Sequence, residues 1–340
     1  MRVLFVSLLL FGLSVDFSYG WISWSHCRNN KVIVRKSLKS VIMSTHNSEM
    51  MSFDELEYTN WQRGVKVYDD GFGPLTRQCI DTLLSQIDFP PSNEEEEEYH
   101  LLDVATGPGY VLTAAAEKTK LTTKLQSPKI QLSGLDVSEN FLQLASKRWN
   151  SLKCQKEVNW IVGSAERLPL KDESVNGITC NFGILHLKDP DAFLQEAHRV
   201  LKPGGKLAFS VWAQPPENEP MYLLSASISQ HGNPNVPLPE APPFFRFADP
   251  TESTRSMHAA GFTDVHVQTQ TNMEWTNVSD AATLYNILLE GTARTRALLE
   301  GQTPEQSIAI QSDLHTRFEK WYVHTHTHTH NNHHSIDYDI

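Results

Sequence analysis

Cysteine is scarce in this 340-residue chain: Cys27, Cys79, Cys154 and Cys180 lie far apart and form no CxxC pair. That excludes a disulfide framework and a structural zinc site, and it fits a reducing compartment. Long apolar runs are missing as well, since the one extended run, residues 3–15, is too short to span a bilayer comfortably. Positive charge is short over most of the chain. The net charge is −11, and residues 1–52 hold six Lys/Arg against two Asp/Glu, so the remainder stands at −15. A body this acidic is a poor partner for nucleic acid or an anionic membrane. The balance of 40% hydrophobic and 20% charged residues excludes collagen-like and fully disordered chains.

What is present divides by region. Residues 1–20 have the form of a secretory signal: Arg2, an apolar run, then the small residues Ser18 and Gly20 before Trp21. Residues 21–52 read as a transit segment, because Arg28, Lys31, Arg35, Lys36 and Lys39 precede the first acidic residue after Trp21, Glu49. The combination resembles the bipartite leaders of algal complex plastids, with Trp21 where such leaders carry Phe. It implies entry into the secretory pathway, onward routing to a plastid, and no membrane span once the leader is gone. Ordinary secretion is one alternative; a start at Met43, Met50 or Met51, leaving a cytoplasmic protein, is another. At the far end, His324, His326, His328 and His330 alternate with Thr before His333 and His334. Residues 324–340 read as translated repeat, not as a metal site.

Between these ends, short β-branched runs alternate with amphipathic stretches, the pattern of βαβ units. It predicts an α/β fold: a Rossmann-like, doubly wound, mostly parallel sheet in three α/β/α layers. Strands are expected over 100–105, 130–136, 157–162, 174–180, 205–212 and 264–270. The domain spans 53–270 with a Pro-rich, lid-like insertion at 214–250, followed by a helical extension at 271–323. Asp189 and Pro190 open one helix, which Pro203-Gly204-Gly205 closes.

The chemistry concentrates at strand ends. Asp103-Val104-Ala105-Thr106-Gly107-Pro108-Gly109 is a strand running into a glycine turn that opens a helix, which suits an anionic group. The dinucleotide fingerprint needs a third glycine where Leu112 stands, and no Gly-Lys-Ser/Thr phosphate loop follows. Gly134-Leu135-Asp136-Val137-Ser138 puts a carboxylate at the tip of the next strand, placed for ribose hydroxyls or, alternatively, for capping the next helix.

These residues resemble the class I S-adenosylmethionine-dependent methyltransferases, in the type 11 branch that includes ubiquinone and menaquinone biosynthesis enzymes. Three further motifs carry the likeness in order: Gly163-Ser164-Ala165-Glu166-Arg167-Leu168-Pro169-Leu170, Asn181-Phe182-Gly183-Ile184-Leu185-His186-Leu187 and Leu201-Lys202-Pro203-Gly204-Gly205-Lys206-Leu207. Upstream, Tyr68-Asp69 and Gly73-Pro74-Leu75-Thr76-Arg77 match the segment that covers the cofactor. The resemblance implies cofactor contacts from Tyr68, Asp103, Ala105, Gly107, Gly109, Asp136, Val137, Ala165, Glu166 and Asn181. Ser164 stands where the family commonly has Asp. Tyr68 or Tyr110 is expected to face the sulfonium, and His186 is the candidate base, with a structural role as its alternative. The segment after strand four is not the Asn-Pro-Pro-Tyr type tied to amino-group methylation. The expected acceptor is therefore a small, hydrophobic molecule in a pocket drawn from Phe182, Trp212, Met221, Tyr222, Phe244, Phe245 and Phe247. An NAD- or nucleotide-sugar-dependent Rossmann enzyme and a non-catalytic cofactor-binding regulator are the alternatives. The family's sheet closes with a seventh, antiparallel strand, expected near 270–275 or displaced by the tail.

Overall fold

The computed structural model describes residues 3–9, 51–91, 98–121, 129–152, 157–271 and 273–327. Most of the leader, the acidic run at 94–97, the Lys/Thr segment at 122–128 and the tail from 328 lie outside the described residues. A first strand, β1 (Val3–Leu9), is followed by helices α1 (Phe53–Val67), α2 (Gly73–Thr76) and α3 (Ile80–Gln86). Strands and helices then alternate: β2 (Glu98–Val104), α4 (Tyr110–Leu121), β3 (Lys129–Asp136), α5 (Glu139–Ser151), β4 (Val158–Val162), β5 (Val175–Asn181), α6 (Pro190–Val200) and β6 (Leu201–Trp212). The rest comprises α7 (Glu219–His231), α8 (Pro250–Ala259), β7 (Thr263–Gln270), α9 (Ala281–Glu290), α10 (Arg294–Glu300) and α11 (Pro304–Thr327).

Seven strands form one sheet in the order β4-β3-β2-β5-β6-β1-β7. The five from β4 to β6 are parallel, while β1 runs antiparallel to both its neighbours. Helices α3 to α6 pack on this sheet, burying Leu83, Leu84, Leu112, Ala115, Ala145, Phe193 and Leu194 almost completely. At about 1.5–3 kcal/mol for each large apolar side chain, that burial is the main term holding the layers together.

The six strands expected from the sequence are all present. The expected stretch at 270–275 does not supply the antiparallel strand, and the tail from 328 lies outside the described residues. Val3–Leu9, the apolar run of the leader, fills that position, with Val3 opposite Trp212 on one side and Gln270 on the other. An apolar run of this length satisfies the composition of a signal core and of a buried strand equally, and local pattern does not separate them.

Helices α1 and α7 each carry a start signal in the sequence. Ser52 caps α1 in a reciprocal capping box with Glu55. Pro220 sits in the first turn of α7. That helix lies inside the Pro-rich insertion and packs on α11. Within the helical extension expected over 271–323, α9 and α10 are parted at Gly291.

The chain builds β2, β3 and β4 outward in one direction and then returns to place β5 on the other side of β2. The C-terminal ends of β2 and β5 therefore part at the topological switch point, where sheets of this kind open a crevice.

Candidate active site

At that point lies an open cleft lined by Tyr68, Thr76, Asp103, Ala105, Thr106, Gly107, Pro108, Tyr110, Val111 and Asn181. Its floor is the turn after β2. Ala105 and Gly107 take left-handed backbone at φ 52° and 50°, a conformation that costs a residue with a Cβ roughly 1–2 kcal/mol. A side chain added at Gly107 would meet nothing within 4 Å, so this face of the turn is open. Gly109 differs: at φ 76° its missing Cβ would come 3.0 Å from Ala145 and 3.3 Å from Trp160. Gly107 shapes the cleft, whereas Gly109 lets the turn pack on α5.

Two buried carboxylates brace the turn. Asp103 accepts from the hydroxyls of Thr106 at 2.6 Å and Thr179 at 2.7 Å. Burial pushes its carboxyl up to about 7 despite those two donors. Asp136 accepts from the backbone N–H of Gly107 and of Ser138, both at 2.8 Å. Burial raises it to about 6, against the lowering effect of the same N–H groups. Each Asp136 oxygen keeps a further lone pair for a ligand hydroxyl. The helix-cap role falls to Ser138, whose hydroxyl accepts from the N–H of Phe141.

A covering segment closes one side. After α1 the helix widens into one π-type turn, Tyr68–Phe72, a distortion frequent at functional sites. Tyr68 lines the cleft, and burial drives its phenol up to about 12. Asp69 binds both Arg148, at 2.7 and 2.9 Å, and the Tyr110 hydroxyl. Arg148 in turn donates to the Pro108 carbonyl at 2.5 Å, tying the covering segment to the glycine turn. The guanidinium groups of Arg77 and Arg148 already stand 5.0 and 4.5 Å from the Tyr110 ring centre. The Tyr68 ring is stacked on Phe72 and meets Trp61 and Phe141 edge-on, with no guanidinium over it among the described residues.

The remaining expected residues are spread around this core. Asn181, at the tip of β5, donates to the Thr76 carbonyl at 3.2 Å and accepts from the Ser210 hydroxyl at 2.7 Å. Val137 is 39% exposed beside Asp136, and Ala165 is buried. Glu166 uses one carboxylate oxygen to accept from the N–H groups of Lys188 and Asp189, at 2.8 and 3.0 Å. His186 ends a short 3-10 turn beyond β5, outside the cleft lining but joined to it through rings: Tyr68 meets Trp61 edge-on at 5.7 Å, and Trp61 meets His186 at 4.8 Å. Of the expected acceptor aromatics, Phe182 stacks on Trp212 at 3.8 Å and Phe244 lies 5.8 Å from His186, while Phe247 is buried against Phe209. Thr76, Thr106 and Val111 were missed, although each stands within or beside a quoted motif. Among the described residues no helix is long and apolar enough to cross a membrane, and no group of three His, Cys, Asp or Glu side chains is arranged to hold a metal.

An open left-handed turn at a helix start, a buried carboxylate with spare lone pairs, and an aromatic cover form a donor set that fits a ligand with an acidic end, a ribose and a cation. Residues 102–209 match the family described as "Methyltransferase domain". The demethylmenaquinone methyltransferase of Lactobacillus johnsonii is 34% identical over 34% of this chain and 44% of its own. The ubiquinone/menaquinone biosynthesis C-methyltransferase of Rickettsia felis is 37% identical over 32% and 42%, and that of Rubrivivax gelatinosus 34% over 49% and 63%. The chain thus spans about two-fifths to three-fifths of the length of these relatives. Among solved structures, a SAM-dependent methyltransferase of Aquifex aeolicus aligns over 62% of this chain and 88% of its own, at 19% identity and a TM-score of 0.37.

Proposed function

We propose that the chain is a class I S-adenosylmethionine-dependent methyltransferase of the type 11 branch, supported by the match of residues 102–209 and by the relatives above, and that it transfers a methyl group to a small, hydrophobic organic acceptor by in-line displacement. The observation that carries this is the cleft at the ends of β2 and β5, floored by the open Gly107 turn and braced by Asp136. Bound there, S-adenosylmethionine supplies an electrophilic methyl on a sulfonium.

The protein's part is placement. Gly107 and the start of α4 receive the acidic end, Asp136 the ribose hydroxyls and Ala165 the adenine side, with Tyr68 next to the cation. The Asp69–Arg148 tether holds the covering segment against the turn, so water is displaced where the methyl moves. Alignment and desolvation of this kind supply most of the acceleration in such a transfer. The relatives' names contain ubiquinone and menaquinone, which supports a quinol-like ring as acceptor; the acidic body supports a small molecule over nucleic acid.

The test is incubation with methyl-labelled S-adenosylmethionine and either a panel of quinols and other apolar phenols or total nucleic acid. Label in an organic-soluble product is expected. Label only in nucleic acid, or none anywhere, would contradict the proposal.

For the compartment, the signal-like and basic composition of residues 1–52 supports the secretory route with onward passage to a complex plastid. The ladders that Val3–Leu9 makes with β6 and β7 favour a second reading, in which the chain keeps these residues and stays in the cytoplasm. Imaging a fluorescent fusion of residues 1–52 separates them: a plastid or secretory pattern supports the first, a diffuse signal the second.

A further inference from the structure

Beside the cofactor cleft, α1, the turn after β5 and α10 bring together a charged group with no place in cofactor binding. Glu57 is buried at 5% exposure. One of its oxygens accepts from Trp61 Nε1 at 2.7 Å and lies 3.3 Å from His186 Nδ1. The other lies 3.4 Å from Arg294 Nε. Arg294 also donates to the Pro242 carbonyl at 2.9 Å and stands over the ring of Phe53 at 4.6 Å. Two nitrogens of the group, His186 Nδ1 and Arg294 Nη2, are enclosed without a hydrogen-bond partner. Such donors are costly, and in native proteins they call for a functional reason.

The orientation of the imidazole is informative. Its Nδ1 is enclosed and turned to Glu57, while the side chain as a whole keeps 22% of its surface accessible. The ring is held edge-on by Trp61 and flanked by Phe244, so Nε2 occupies the accessible edge. A carboxylate beside Nδ1 favours the tautomer with its proton there, which leaves Nε2 as a bare base. Arg294 sets a positive charge against Glu57 under the same cover.

We propose that Glu57 is the positioning residue for His186, and that His186 Nε2 takes the proton of an acceptor of the phenol or enol class. The proposal rests on the methyltransferase reading above. One proton is lost for each methyl gained. As the electron pair of the acceptor's oxygen or conjugated carbon bonds the methyl carbon, the carbon–sulfur pair stays on sulfur. The hydroxyl proton passes to Nε2 and from there to solvent. Glu57 faces the positive charge that forms on the ring.

The test combines three measurements on the full chain and on Glu57→Gln, Glu57→Asp and His186→Asn. Histidine ¹⁵N shifts report the tautomer without any acceptor: a proton on Nδ1 is expected in the wild type, a mixture of tautomers in Glu57→Gln, and recovery in Glu57→Asp. With a short-chain 1,4-naphthoquinol as probe, Glu57→Gln and His186→Asn are expected to lower kcat by about 10²-fold with KM unchanged. S-adenosylhomocysteine should bind all four proteins within about twofold, because none of these residues lines the cleft or hydrogen-bonds to its turn as Asp136 does. A tautomer that does not change in Glu57→Gln, or a kcat within about twofold of the wild type, overturns the proposal while leaving the methyltransferase reading in place. Failure of the wild type to bind S-adenosylhomocysteine overturns both.

Discussion

β2 and β5, whose ends carry the cleft, are buried along nearly their whole length, whereas β7 at the far edge has no fully buried residue. The central strands are also pinned by side chains. Asp103 reaches Thr179 on the neighbouring strand, His100 lies 2.8 Å from the Ser133 hydroxyl, and Asn181 pairs with Ser210. At the edge, β7 is held by the backbone ladder to β1, by α8, and by side-chain hydrogen bonds at its last residue, where Gln270 accepts from the Thr82 hydroxyl and donates to the Gln78 carbonyl. Register at the centre is therefore fixed by specific polar pairs as well as by hydrophobic burial, while the backbone ladder at the edge comes from one strand at the other end of the chain. The site sits on the rigid part, and the burden of completing the sheet falls on the other.

The largest expected effect comes from breaking that edge. Deleting residues 1–9 removes β1 from between β6 and β7 and leaves two ladders unpaired, which exposes strand edges to aggregation. Loss of several hydrogen bonds at about 1 kcal/mol each should lower the melting temperature by well over about 10 °C. A melt within about 2 °C of the full chain would show that β1 does not hold the sheet.

Next in size is the charge at the centre. Asp103 and Asp136 both have carboxyls raised above their ordinary value by burial. A group raised in the folded state binds its proton more tightly there than in the unfolded chain. Stability should therefore rise as pH falls from about 8 toward about 5, by on the order of 3 kcal/mol. Asp103→Asn, which keeps an acceptor for one threonine hydroxyl, should flatten that slope when unfolding is followed across pH. A slope unchanged by the substitution would mean that Asp103 is ionised without penalty.

The two glycines of the turn should separate cleanly. Gly109→Ala drives a methyl toward Ala145 and Trp160 and adds left-handed strain, costing about 2–3 kcal/mol. Gly107→Ala meets no neighbour and should cost only about 1 kcal/mol, while weakening S-adenosylhomocysteine binding by more than Gly109→Ala does. Equal losses of stability in chemical denaturation would remove the distinction between the two positions.

Much of the centre was legible in the sequence, because β-branched runs ending in glycine turns mark parallel strands and their C-terminal tips by local pattern alone. Gly107 and Asp136 follow from that pattern, Asp103, Ala105 and Asn181 from the family resemblance, and all five converge on the turn and cleft. Glu166 was expected at the cofactor through its backbone, and its carboxylate accepts from the N–H groups of Lys188 and Asp189. Glu57 and Arg294 could not be read, since 237 positions separate them and only the packing of α1 on α10 brings them together. The position of β1 was hidden for a related reason: strand order belongs to the tertiary structure, and a run such as Val3–Leu9 has the same composition whether it is a leader core or a strand.

Calorimetric titration of the full chain with S-adenosylhomocysteine, beside Asp136→Ala and with NAD as the competing ligand, tests most directly that the cleft is a methyltransferase cofactor site. Binding by the wild type, a loss of at least about tenfold in Asp136→Ala, equivalent to about 1.4 kcal/mol, and no heat with NAD are expected. Absence of S-adenosylhomocysteine binding, or binding unchanged in Asp136→Ala, would contradict it.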